Sequence, residues 1–125
     1  MTDLNSLNVL ALAYVGDAIY EIYIRDYLIK KNIVKVKDLQ AESVKFVSAK
    51  AQSKYLSLLI EENFFMPNEL EIIKRARNNK GTSHPKNTDI ITYKNATGME
   101  ALIGFHHLNK DDKRIDEIMK KIVGE

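Results

Sequence analysis

The chain contains no cysteine, which excludes disulfides, thiolate nucleophiles and thiolate metal ligands. No stretch is long and apolar enough to span a bilayer. The opening residues, MTDLNSLNVL, lack the basic start, apolar block and small-residue cleavage site of a secretory signal, so the cytoplasm is the expected compartment and no membrane is expected among the partners. No glycine-rich phosphate cradle runs into a Lys-Ser/Thr pair, which argues against a nucleoside-triphosphate enzyme. Repeats, low-complexity tracts and alternating strand patterns longer than a few residues are also missing. What is present, 125 residues with 45% hydrophobic content, suffices for one core, and the expectation is a single all-α domain over residues 1–125.

The net charge of +2 is small but unevenly placed. Between Glu71 and Lys94 six basic residues (Lys74, Arg75, Arg77, Lys80, Lys86 and Lys94) face two acidic ones, a local +4 that leaves the rest of the chain at −2. Such a segment suits a polyanion or simply a solvated surface.

Helical periodicity starts near Leu4 and runs to Lys30, with Leu7, Leu10, Tyr14, Ala18 and Ile22 at helical spacing. KNIVKVKDLQ reads as a connector into a short helix. Ser43 is then placed to cap a second long helix, VKFVSAKAQSKYLSLLIEEN, with Val44, Val47, Ala51, Tyr55, Leu58 and Leu59 on one side. Pro67 suits the first turn of a helix over roughly 68–79. NKGTSHPKNTD has no apolar residue and predicts an exposed loop. Periodicity returns in YKNATGMEALIGFHHL, and a last amphipathic helix is expected from about Asp112 to Val123.

Two positions break these patterns. Gly16 and Asp17 sit inside the first helix, where glycine costs roughly 1 kcal/mol against alanine and aspartate competes for backbone partners. At about 100° per residue, Asp17 shares a face with Leu10, Ile24 and Leu28. Glu100 repeats the anomaly among Ala96, Thr97, Ile103, Gly104 and His107. A carboxylate in apolar surroundings needs a hydrogen bond, a counter-ion or a metal. Two of them on different helices, each near a glycine (Gly16, Gly98), suit one Mg²⁺, which prefers oxygen ligands; hydrogen bonding to a neighbouring backbone or basic side chain is the alternative.

YVGDAIYEIYIRDYL together with GMEALIGFHHL resembles the signature pair of the ribonuclease III catalytic domain, in the same order and at a similar separation. FVSAKAQSKYLSLL and RARNNKGTSHPKNTDIITYKNATGMEALIG are similar to the short Mini-ribonuclease III branch of that family, which lacks the double-stranded-RNA-binding domain. The resemblance covers nearly the whole chain. It implies a helical, homodimeric, Mg²⁺-dependent endonuclease for double-stranded RNA, acting on a ribosomal RNA precursor, notably that of the large subunit (23S). Asp17 stands at the family's motif aspartate and Glu100 at its second catalytic carboxylate, both as metal ligands. Two acidic positions of the full-length enzymes hold Ala13 and Thr97 here, which leaves fewer protein ligands for metal.

Double-stranded RNA is recognised by shape through phosphates and 2′-hydroxyls, which calls for basic and amide side chains. Lys74, Arg75, Arg77, Asn78, Lys80, Lys86 and Asn87, just upstream of the Glu100 helix, are the candidates for that contact. Tyr20, Tyr23 and Tyr27 are candidates for core packing or, by the resemblance, a subunit interface. His106 and His107 are adjacent and so point about 100° apart, unlike the i, i+4 pairs of helical zinc sites; packing or surface roles are expected. The rival readings are a non-catalytic double-stranded-RNA-binding dimer with a decayed metal site, and a helical protein-interaction module.

Overall fold

Asn8 opens the first described element: its side chain accepts a hydrogen bond from the Leu10 amide at 2.8 Å, satisfying a backbone donor that the first helical turn leaves free. The computed structural model describes residues 8–33, 35–79 and 89–124. Within them the chain forms six helices: α1 (Val9–Lys30), α2 (Val36–Val47), α3 (Ala49–Glu61), α4 (Pro67–Arg77), α5 (Ile90–Leu108) and α6 (Asp112–Val123). No strand occurs among the described residues, in keeping with the all-α expectation.

Local chemistry marks most boundaries. Asp89 caps α5 through bonds from the Thr92 amide and hydroxyl, and Asp111 caps α6 through the Arg114 amide. Pro67 occupies the first turn of α4, where its missing N–H costs nothing. One expected boundary is corrected. The long helix anticipated after Ser43 is two helices, because Ser48 takes an extended conformation and its hydroxyl accepts from the Ala51 amide at 3.1 Å. Ser48, not Ser43, is the cap, and α2 runs through Ser43 to Val47. The first helix likewise begins at Val9 behind its Asn8 cap, later than the pattern suggested.

α5 is the central element, packing against α1, α3, α4 and α6. Its small residues let neighbouring backbones approach. A Cβ on Gly16 would overlap the Glu100 carbonyl, and one on Gly104 would overlap that of Leu12, so α1 and α5 cross with their backbones nearly touching. This answers why glycine stands inside α1: it is the crossing point. The core around that crossing holds Leu12, Tyr20, Ile24, Leu56, Ile73, Met99, Leu102, Ile103, Ile118 and Met119, each side chain contributing roughly 1.5–3 kcal/mol by leaving water.

α1 is apolar on much of its circumference, and the structure decides which side faces in. Val9, Leu12, Gly16, Tyr20, Ile24 and Leu28 are buried. From the stripe legible in the sequence, Tyr14 is 83% and Ile22 60% exposed, and Ala18 is exposed beside them. Tyr20 is wholly internal and its hydroxyl donates to the Phe46 carbonyl at 2.7 Å, so it is removed from the surface-interface candidates.

Candidate active site

The α1–α5 crossing brings together the two anomalous carboxylates. Gly16 rests on the backbone of Glu100, and Asp17, the next residue, acts on the Glu100 carboxyl through a hydrogen bond and its like charge. Asp17 itself is exposed, whereas its face-mates Ile24 and Leu28 are buried; the carboxylate sits where the apolar face opens to solvent and is not enclosed in it. Glu100 is half-buried, with Ala96, Thr97, Ile103 and Gly104 buried around it.

This environment pushes the Glu100 carboxyl up to about 8, first through burial, then through the hydrogen bond and the like charge of Asp17. Glu21 adds to the rise and the Gln52 amide opposes it. Glu21 also pairs with exposed Arg25 at 3.3 Å. Burial raises the Tyr20 phenol, with Tyr55 and Glu100 adding to the rise, and burial raises the Tyr55 phenol as well. No group of three or more His, Asp or Glu side chains able to hold an ion is found among the described residues.

The two positions that are acidic in the full-length family have other uses here. Ala13 is buried in the core, and the Thr97 hydroxyl donates to the Tyr93 carbonyl at 3.0 Å within its own helix.

The basic candidates gather elsewhere. Lys74, Arg75 and Asn78 line a cleft of about 550 Å³ with Asn8, Val9, Glu71 and Asn79, at the start of α1. At 1.5 Å per residue that is about 12 Å along the helix from Asp17. The stem of Arg77 packs towards Gly98 on α5. Lys80, Lys86 and Asn87 lie outside the described residues.

Gln52, Glu69 and Arg114 escaped the sequence reading. Gln52 on α3 is buried and faces Glu100. Glu69 is 1% exposed and ion-paired with Arg114; its Oε1 accepts from the Met66 amide, half of a capping box that the sequence carried three residues past Met66. His106, expected to be a packing residue, is that: it is buried and bonds Glu69 at 2.7 Å, while His107 is exposed.

The Ribonuclease III domain family matches residues 10–111. The chain is 41% identical over 119 residues to the Mini-ribonuclease 3 of Streptococcus pneumoniae, covering 95% of this chain and 93% of that protein. It is 44% identical over 128 residues to the Mini-ribonuclease 3 of Enterococcus faecalis, covering 100% and 97%. The X-ray structure of a Fusobacterium nucleatum protein superposes with a TM-score of 0.88 at 30% identity, over the full length of both chains. The chain therefore belongs to the ribonuclease III family, and its activity is that of an endoribonuclease.

Proposed function

We propose that this endoribonuclease cleaves double-stranded RNA with Mg²⁺ held by Asp17 and Glu100, and that it works as a cytoplasmic homodimer maturing the large-subunit (23S) ribosomal RNA precursor. The observation that carries the reading is the meeting of two carboxylates from α1 and α5, where burial and the like charge of Asp17 push the Glu100 carboxyl up. Ion pairs elsewhere in the molecule are completed by lysine or arginine. Here two like charges share a rim, and Glu100 holds its proton up to about pH 8.

The donor set fits a hard cation. Both carboxylates offer oxygen, the donor type that Mg²⁺ prefers. When bound there, Mg²⁺ would supply Lewis-acid stabilisation of the scissile phosphate and a water of lowered pKa. Asp17, exposed at the rim, is positioned to meet the RNA side. Glu100, deeper in, would hold the cation as a carboxylate, the cation's charge offsetting the repulsion from Asp17. The exposed Lys74, Arg77 and Asn78, with Arg75 beside them, are suited to phosphates further along the duplex, and Lys80, Lys86 and Asn87 are assigned the same role.

One site per chain and two strands per duplex call for two copies. The outward stripe of Tyr14, Ala18 and Ile22 flanks Asp17 on α1 and is the apolar surface that self-association would cover, setting the two sites near one another. The rRNA precursor and the compartment rest on the family resemblance.

The loss of carboxylates at Ala13 and Thr97 favours a second reading, an RNA-binding dimer without catalysis. Cleavage of a synthetic RNA duplex with Mg²⁺ and none with EDTA is the expected result. A salt-sensitive RNA shift without cleavage in either would support the second reading. A monomer mass in solution under cleaving conditions would overturn the dimer.

A further inference from the structure

Gly98 lies in the middle of α5 and is buried, and glycine is the residue that a helix interior tolerates least after proline. Its backbone gives no reason for the choice, since among the described glycines it is Gly124 that takes a positive φ. Nor does a backbone crossing, the reason at Gly16 and Gly104, where an added Cβ would run into the main chain of the other helix. At Gly98 the nearest obstacles are side chains. A Cβ there would lie 3.2 Å from Arg77 Cγ and 3.3 Å from Ile73 Cγ2, both on α4, with the Ile73 carbonyl oxygen next at 3.5 Å. The missing side chain leaves a slot in α5, and the stem of Arg77 lies in it.

Arg77 is the last residue of α4. Lys74, Arg75 and Arg77 all suit the negative end of that helix, so charge alone does not distinguish them. Two observations single out Arg77. It is exposed although its Cγ rests on a buried residue, so the guanidinium is carried out to solvent on a stem that is held. That guanidinium has no hydrogen-bond or ion-pair partner among the described residues, whereas Arg25 is paired with Glu21 and Arg114 with Glu69. Gly98 precedes Glu100 by two residues, about 3 Å along α5 and about 200° around it, so Arg77 and the carboxylates flank α5 from opposite sides. We propose that Gly98 is a positioning residue for substrate binding: its slot fixes Arg77 in the RNA-free protein, so that the planar guanidinium meets a phosphate of the duplex other than the one at Asp17 and Glu100 without first having to be ordered. The proposal rests on the reading of Arg77 as a phosphate contact, and it adds the residue on α5 that prearranges that contact.

The test is binding of a fluorescently labelled synthetic RNA duplex in EDTA across a series of KCl concentrations, with folding followed by circular dichroism. Arg77→Ala should weaken binding about 10-fold, as the loss of a charged hydrogen bond does, and lower the slope of log affinity against log salt by about 0.9. Gly98→Ala displaces the stem but keeps the charge. It should weaken binding about 2- to 10-fold, the effect of having to order one long side chain on binding, with the slope unchanged. In the Arg77→Ala background, Gly98→Ala should change nothing further, because the side chain that it disturbs is gone. A folded Gly98→Ala that binds like wild type, or whose loss persists without Arg77, would make the slot a matter of packing against Ile73 and overturn the proposal. If Gly98→Ala does not fold, NMR relaxation of the arginine side chains in RNA-free wild type decides: an Arg77 Nε–H as mobile as that of exposed Arg25 overturns the proposal, and order approaching that of Arg114 supports it. Unchanged affinity and slope in Arg77→Ala would instead overturn the reading of Arg77 as a phosphate contact, and the role of Gly98 with it.

Discussion

Glu69 and Glu100 are both set into the interior against α5, yet the protein treats them oppositely. Glu69 on α4 accepts two bonds from Arg114, at 2.7 and 2.9 Å, one from His106 and one from the Met66 amide. An ionised carboxylate only accepts, so His106 donates through Nε2. Burial alone would raise Glu69, but these donors outweigh it and hold the carboxyl down at about 2. Arg114 is itself anchored, stacked 4.4 Å from the Phe64 ring and bonded to the Phe64 carbonyl. Glu100, half-buried and without a cationic partner among the described residues, is lifted to about 8 by burial and by Asp17. A satisfied buried charge braces helices; an unsatisfied pair at a rim retains a demand for positive charge that folding does not meet.

Removing the repulsion should have the largest effect. Asp17→Asn keeps shape and deletes charge, and duplex cleavage should fall at least about a thousand-fold while RNA binding persists. Its melting temperature in EDTA should equal or exceed that of wild type. A strongly destabilised Asp17→Asn that still cleaves when folded would make this carboxylate structural, like Glu69.

Breaking the other site should do the reverse. Arg114→Met strips two of the four bonds from Glu69 and leaves a buried charge short of its partner, at a cost of about 3–5 kcal/mol in urea unfolding. Residual Mg²⁺-dependent cleavage per folded molecule should change little. Equal loss in both measurements would show the two regions to be coupled.

The pH dependence of stability in EDTA sharpens the contrast, because the two shifts have opposite signs. Glu100 is raised from 4.5 to about 8, so it binds its proton more tightly when folded; its contribution is complete below 4.5 and lost as pH climbs through 8. Glu69 is lowered from 4.5 to about 2, so its contribution is complete above 4.5 and lost as pH falls through 2. Urea midpoints should decline towards both limits, and Asp17→Asn should flatten the alkaline decline alone. A decline of unchanged steepness in that variant would remove Asp17 as a cause of the Glu100 shift.

The smallest effect belongs to the basic segment. Lys80→Ala with Lys86→Ala should leave the melting temperature unchanged, weaken RNA binding and reduce the slope of log affinity against log salt by up to about 2, near 0.9 per lost phosphate contact. An unchanged slope and affinity would make the segment a bystander.

Much of the helical content was legible because helices are written in local signals. The Asp112–Val123 helix, the proline-led α4 and the small-residue face of α5 all follow from contacts within a few residues. The Gly16-Asp17 and Glu100 anomalies were legible for the same reason, since each violates its own helix. The cause of the first was not: Gly16 answers a backbone 84 positions away, and no neighbour in sequence reports that crossing.

By itself, then, the sequence determined that the chain is helical, lacks thiol chemistry, and places two carboxylates where isolated helices do not want them. Tertiary structure decided which side of α1 is inside, because a helix apolar on most of its surface satisfies the periodic pattern in more than one orientation. It also decided that Ser48 ends one helix and starts another, where a continuous apolar pattern ran through both. And it decided the fate of each buried acid: Glu69 finds Arg114 45 residues away, Glu100 finds Asp17 across a glycine crossing. Charge is a property of a residue, but whether it is neutralised depends on what other helices bring within a few ångströms, and that information exists only once the chain has folded.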